Sequence, residues 1–172
     1  SEQEQGSVAL ETMLRGICKK ENFLDLLENF ILFDHSGGHT AKILARNHQY
    51  LGVNEAIKAY EARKLNNGKL GVFWHTQGSG KSYSMVFLAQ KIRRKFSGSP
   101  TIVILTDRDE LNTQISDTFE NCGLLGKTKA SQFIASSGAD LEQKLRGNPS
   151  FIFTLIQKFN KTDVEPIYPD HD

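Results

Sequence analysis

The segment His75-Thr76-Gln77-Gly78-Ser79-Gly80-Lys81-Ser82 constrains this chain more than any other. It ends in the G-K-S of a phosphate-binding loop, and its flanks are as informative as its letters. Ahead of it, Leu70, Val72, Phe73 and Trp74 form a short apolar run that predicts a strand. Behind it, Met85, Leu88, Ala89, Ile92 and Phe96 recur at helical spacing. Strand, loop and helix in that order are the context in which such a loop holds phosphate. The small residues Gly78, Ser79 and Gly80 let successive backbone N–H groups curl around phosphate oxygens, and the next helix points its N-terminus at them. Lys81 is the residue expected to reach the β- and γ-phosphates, Ser82 the one to ligate Mg²⁺, and Thr76 and Gln77 complete the cradle. One position departs from the pattern: His75 stands where the motif has its first Gly.

The rest of the chain reads as alternating elements. Phe23, Leu27, Phe30 and Ile31 predict a helix over Asn22 to Phe33, after a short one around Val8 to Ile17. Asp34 to Thr40 predicts a loop, and Tyr50, Val53, Ile57 and Tyr60 a helix over Asn47 to Leu65 that stops at Asn66-Asn67-Gly68. Ser97-Gly98-Ser99-Pro100 ends the helix behind the phosphate loop. Thr101 to Thr106 then predicts a buried strand, with Asp107 capping the next helix. Gly123 to Gly147 reads as a connector with a short helix near Asp140 to Arg146, and Phe151 to Leu155 as a further strand. Val164 to Asp172 is an irregular tail. The implied class is α/β, a parallel sheet covered by helices on both faces.

Composition narrows the function classes. At 172 residues with 38% apolar and 24% charged residues, the chain has the size and balance of one soluble globular domain. No apolar stretch approaches the roughly 18 residues of a membrane span, and Glu2 and Glu4 sit where a signal peptide is basic, so a cytoplasmic location is expected. Cys18 and Cys122 show no disulfide or zinc spacing and read as free thiols. The net charge of +1 hides a strongly basic middle: residues 35–106 hold eleven bases and two acids. Lys91, Arg93, Arg94 and Lys95 either face a polyanion or form a solvated helix end.

Four blocks, Arg46 to Ile57 (RNHQYLGVNEAI), Trp74 to Ser82 (WHTQGSGKS), Val103 to Ile115 (VILTDRDELNTQI) and Phe153 to Phe159 (FTLIQKF), occur in an order that resembles the motor subunit of type I restriction–modification enzymes, which are superfamily 2 helicase-like translocases. The resemblance runs from about Asn22 to Phe159, and within it a His at the position of His75 is expected. It implies a RecA-like fold, ATP and Mg²⁺ as cofactors, duplex DNA as partner, and modification and specificity subunits in the same complex.

Residue by residue, Gln49 resembles the glutamine that reads adenine, since an amide can pair both the exocyclic amine and N7. Arg46 lies on the same turn, either stacking on the base or solvating the helix start. Lys81 takes the catalytic role at the phosphates. Arg108 resembles a DNA backbone contact, and Thr154, Gln157 and Lys158 resemble the next such block; contacts of this kind position a protein without reading sequence.

A complete motor of this class also needs a strand ending in an Asp-Glu pair and a second lobe with an arginine finger. Neither pattern follows Lys81. The expectation is therefore a fragment: a helical linker segment over residues 1–45, then an incomplete first RecA-like lobe over 46–172. Glu142-Gln143-Lys144 has the letters of a nuclease element but lies in a predicted helix, and Trp74 reads as strand core or as a packing residue under the loop. His35, His39, His48 and His171 show no ligand spacing. Two other functions fit a phosphate loop: a nucleotide kinase with Asp107 directing Mg²⁺, and a non-catalytic nucleotide-switched DNA-binding module.

Overall fold

The computed structural model describes residue 11 and residues 14–159. Of the helix expected over Val8 to Ile17, residues 14–17 are helical; the rest, Glu11 apart, lies outside the described residues, as does the tail from Val164.

The chain is α/β, with two small sheets and helices packed on them. Helix α1, Lys20–Asn29, is followed at once by strand β1, Ile31–Asp34, which pairs antiparallel with β2, Ala41–Leu44, in the register Leu32↔Ile43. This corrects the single helix expected over Asn22 to Phe33. Ile31 continues the apolar helical stripe, but the chain leaves the helix at Phe30 because the hairpin buries Leu32 and gives the Phe30 carbonyl a partner in the Ala45 N–H, 3.0 Å.

Helix α2, Asn47–Glu61, ends in a short 3₁₀ turn, Arg63–Asn66, and left-handed Asn67 and Gly68, where the sequence placed the stop. Helix α3, Lys81–Lys95, begins at the phosphate loop. Strand β3, Ile102–Thr106, leads into α4, Asp109–Asn121, whose N-cap is Arg108 with no side-chain cap bond, so Asp107 is not the cap. Helix α5, Gly138–Arg146, is capped by Ser137, which accepts from the Asp140 N–H. Strand β4, Phe151–Leu155, pairs parallel with β3, Ile102↔Phe151 through Thr106↔Leu155. On its other edge β4 meets a one-residue parallel bridge at Ile134, and with neighbours on both edges its first four residues are buried.

The expected strand over Leu70 to Trp74 does not form. Residues 69–76 join no ladder, and Val72 and Trp74 stand 94% and 76% exposed, so Trp74 is not core. An apolar run becomes a strand only when another strand satisfies its N–H and C=O groups, and among the described residues none does. The parallel sheet of the described residues is thus β3 and β4 with the Ile134 bridge.

One buried cluster holds the chain together and includes residues from both sides of position 45. Phe30 and Leu32 pack with Val53 of α2, Val86 and Phe87 of α3, and Phe119, Phe151 and Phe153. Their rings meet in tilted and edge-on pairs, with Phe119 5.4 Å from Phe151 and 5.3 Å from Phe153, the arrangement that aromatic quadrupoles favour.

The basic run of α3 divides: Arg93, Arg94 and Lys95 are exposed on its last turn, the solvated helix end of the second expected reading, and Lys91 departs from both readings. Lys91 is buried, donating to Asp25 of α1 at 2.5 Å and to Asn54 of α2 at 2.6 Å. Arg94 donates to the Glu28 carbonyl, and Lys95 pairs with Glu61 at 2.7 Å. Burial raises the Asp25 carboxyl, but the Lys91, Asn29 and Asn54 hydrogen bonds outweigh it and hold the group below its ordinary value.

Candidate functional site

The phosphate loop turns on two glycines. Gly78 and Gly80 have φ of 77° and 84°, a left-handed backbone that side chains rarely adopt. Gly80 is also the N-cap of α3, and its carbonyl accepts the Ser84 N–H at 3.1 Å. A Cβ at Gly80 would stand 2.9 Å from Gln49 Nε2, so glycine is required there twice over.

Consecutive residues of α2 grip consecutive carbonyls of the loop. His48 Nε2 lies 3.2 Å from the Ser79 carbonyl, and Gln49 Nε2 donates to the Gly80 carbonyl at 3.0 Å. Gln49 is 3% exposed and its amide is well used: Nε2 also donates to Ser84 Oγ at 3.3 Å, while Oε1 accepts the Arg46 N–H at 2.9 Å. That last bond makes Gln49 the N3 partner of a capping arrangement at the start of α2.

The approach to the loop rests on the same face of α2. Phe73 packs on Gly52, where a Cβ would meet the ring at 1.9 Å. His75 stacks between Phe73, 4.4 Å away, and His48, 4.7 Å away and edge-on at 81°. His48 and Gly52 are one helical turn apart, so a chain segment presenting Phe73 and His75 to one side docks on both. Sequence reasoning assigned His48 no role and passed over Gly52. The available signal was a lone glycine inside a helical pattern, which marks a close approach.

The loop's remaining groups are set for an anion. Lys81 is exposed and its ammonium donates to the His75 carbonyl at 2.9 Å. Ser79 Oγ and His75 Nδ1 are buried without a hydrogen-bond partner. Thr76, Gln77 and Gly78 are exposed, and Ser82 is half-buried on the first turn of α3. An orphaned hydroxyl, a helix N-terminus and an exposed cation bonded to a carbonyl fit a nucleoside phosphate, with Ser82 placed to share a Mg²⁺. Burial, with His48 and Lys81 close by, pushes the His75 imidazole below its ordinary value. One residue past Ser82, the Tyr83 hydroxyl donates to Asp34 at 2.5 Å and is pushed up to about 12 by that bond and by burial. This ties the β1–β2 hairpin to the start of α3.

The residues expected at DNA divide. Arg108 is 76% exposed in its side chain and lies 3.5 Å from Asp107, just past β3. Gln157, just past β4, donates to the Asp107 carbonyl at 3.2 Å, so both residues sit at the C-terminal ends of the parallel strands. Lys158 donates to the Ala135 carbonyl. Thr154 is fully buried inside β4 and does not join the exposed residues.

Among the described residues no group of His, Cys, Asp and Glu could hold a metal, and no helix is long and apolar enough to cross a membrane. Cys18 and Cys122 are free thiols, and burial pushes Cys122 up to about 12.

Comparison with known proteins gives a consistent picture. Residues 48–172 match the SWI2/SNF2 ATPase family. The chain is 39% identical over 166 residues to the type I restriction enzyme HindI endonuclease subunit of Haemophilus influenzae, covering 93% of this chain and 16% of that protein. A protein of Methanocaldococcus jannaschii named for the endonuclease subunit of type I restriction enzyme MjaIXP is 32% identical over 168 residues, 94% of this chain and 15% of its own length. The chain thus spans about one-sixth of the length of these relatives.

Proposed function

We propose, from the premise that the chain belongs to the SWI2/SNF2 ATPase family, that it is the ATP-binding part of the DNA-translocating subunit of a type I restriction endonuclease. The observation that carries the site assignment is the bond from Gln49 to the Gly80 carbonyl, 3.0 Å. It sets the amide that would read adenine against the loop that would hold the phosphates.

In this reading Thr76 to Gly80 cradle the phosphates with backbone N–H groups, Lys81 moves from the His75 carbonyl onto the β- and γ-oxygens, and Ser82 ligates Mg²⁺. Gln49 Oε1 keeps a free lone pair for the adenine amine, and donation to N7 requires giving up its longer bond, to Ser84. Arg108, Gln157 and Lys158 contact the backbone of duplex DNA, with Thr154 supporting them from inside β4. The first-lobe sheet is RecA-like, with Leu70 to Trp74 as the strand that takes partners from elsewhere in the subunit, and residues 1–45 join this lobe to what precedes it. The intact subunit, in the cytoplasm with modification and specificity subunits, couples ATP hydrolysis to translocation and cleavage. The family match favours this reading over the kinase and switch-module alternatives.

Titration calorimetry with Mg-ATP and Mg-GTP in phosphate-free buffer tests the site. Saturable ATP binding weakened by Lys81→Ala, with the preference over GTP lost in Gln49→Ala, is the expected result. Equal binding of both nucleotides, unmoved by Gln49→Ala, removes the adenine role.

A further inference from the structure

Three groups able to carry positive charge converge behind the phosphate loop. The His48 and His75 rings are 4.7 Å apart, edge to face, and the Lys81 ammonium is bonded to the His75 carbonyl at 2.9 Å. His75 is enclosed by Phe73 on its other side, and its Nδ1 is buried with no partner. Among the described residues the titratable groups facing His75 are His48 from α2 and Lys81 from α3, both basic, with no carboxylate to offset them. Protonating His75 here puts a cation beside an ammonium in a partly desolvated site, so His75 resists charge while the loop holds no anion.

We propose that His75 is a proton-linked positioning residue of the phosphate loop, with His48 holding the loop beside it: a polyphosphate that draws Lys81 off the His75 carbonyl causes the His75 imidazole to take up a proton. The inference rests on the reading of the loop as a nucleotide site and adds to it. Arrival of the phosphates changes the surroundings that oppose charge on His75. Lys81 moves away from His75, and negative charge enters at Ser79 and Gly80, whose carbonyls His48 and Gln49 already hold. His48 Nε2 lies 3.2 Å from the Ser79 carbonyl, so the loop stays held while His75 takes up its proton. The proton comes from solvent and returns to it when the anion leaves.

The sign follows from linkage. In the anion-bound chain His75 holds its proton to a higher pH than in the free chain, so affinity is greatest below the free chain's value. It falls as pH rises between the two values, by at most about tenfold per pH unit, and is flat above them.

Calorimetry of this chain with Mg-ATP, and with Mg-triphosphate as a second probe, in buffers of differing ionisation enthalpy reads the proton directly. The expected result near neutral pH is an uptake of up to about one proton per nucleotide. It disappears in His75→Gln. His48→Gln keeps a donor for the Ser79 carbonyl and retains binding with a reduced uptake, whereas His48→Ala weakens binding several-fold. Imidazole resonances of the unaltered chain provide a reading that needs no substitution: those of His75 shift towards the protonated form when Mg-ATP saturates the site. Saturable binding with no buffer dependence, or with the same uptake in His75→Gln, overturns this inference and leaves the nucleotide site standing. No binding of either probe overturns the nucleotide-site reading, and this inference with it.

Discussion

The ring of Phe73 lies on the bare α-carbon of Gly52, so close that a methyl group there would stand 1.9 Å from Cε2. Through this contact the approach to the phosphate loop is docked on α2, one turn from the His48–His75 pair. Gly52→Ala therefore separates two effects. Alanine favours the helix by about 1 kcal/mol over glycine, while the ring, 41% exposed, must swing off. Global stability is expected to change by less than about 1 kcal/mol, with Mg-ATP affinity falling several-fold. Trp74, the only tryptophan, is next to Phe73, so its fluorescence reports the displacement.

Lys91 ties three helices together from a buried position, through Asp25 and Asn54. Lys91→Ala strands the Asp25 carboxylate and is expected to cost about 3–5 kcal/mol, the usual penalty for breaking a buried pair. Lys91→Met with Asp25→Leu replaces both charges by apolar groups and recovers most of that loss in urea unfolding. A double variant as unstable as the single would show that the charges themselves hold α1 in place.

Asp140 is held down to about 2 by its bond to Lys144 and by the Ser136 N–H. A depressed carboxyl stabilises the fold fully above its unfolded value of 3.8 and loses that contribution as pH falls through its folded value. Stability of the unaltered chain should therefore drop between about pH 4 and 2 more steeply than that of Asp140→Asn. Parallel profiles would remove Asp140 from the acid response.

Arg108 projects into solvent past β3, 3.5 Å from Asp107. In the intact subunit, Arg108→Ala is expected to weaken duplex binding uniformly across sequences and to lower the slope of log affinity against log salt by about 1. An unchanged slope would take Arg108 off the phosphate backbone.

Local pattern carried some elements to the residue. Phe151 to Leu155 is an unbroken apolar β-type run that has neighbours on both edges, so its intrinsic preference and its burial agree. The helix behind the loop was legible because Gly80 and Lys81 mark its start and its apolar positions keep one period through Ile92. Ile31 and Leu70 show where pattern stops. Ile31 fits a helix stripe as well as a strand, and pairing with Leu44 decides between them. Leu70 to Trp74 has strand character without a strand to join among the described residues.

The sequence by itself determined the chemistry of the loop: which residues are small, which is the lysine, and which hydroxyl follows it. It also determined the order of helices and strands from β3 onward, because those signals are local. Tertiary structure alone decided that His48, Gly52 and Gln49 meet the loop, that Lys91 is buried against Asp25, and that Thr154 lies inside while Arg108 lies outside. Those facts depend on contacts between residues some 20 to 70 positions apart, as between Gly52 and Phe73 or Asp25 and Lys91. Only the packed chain, closing loops of that length, brings them within reach of a hydrogen bond.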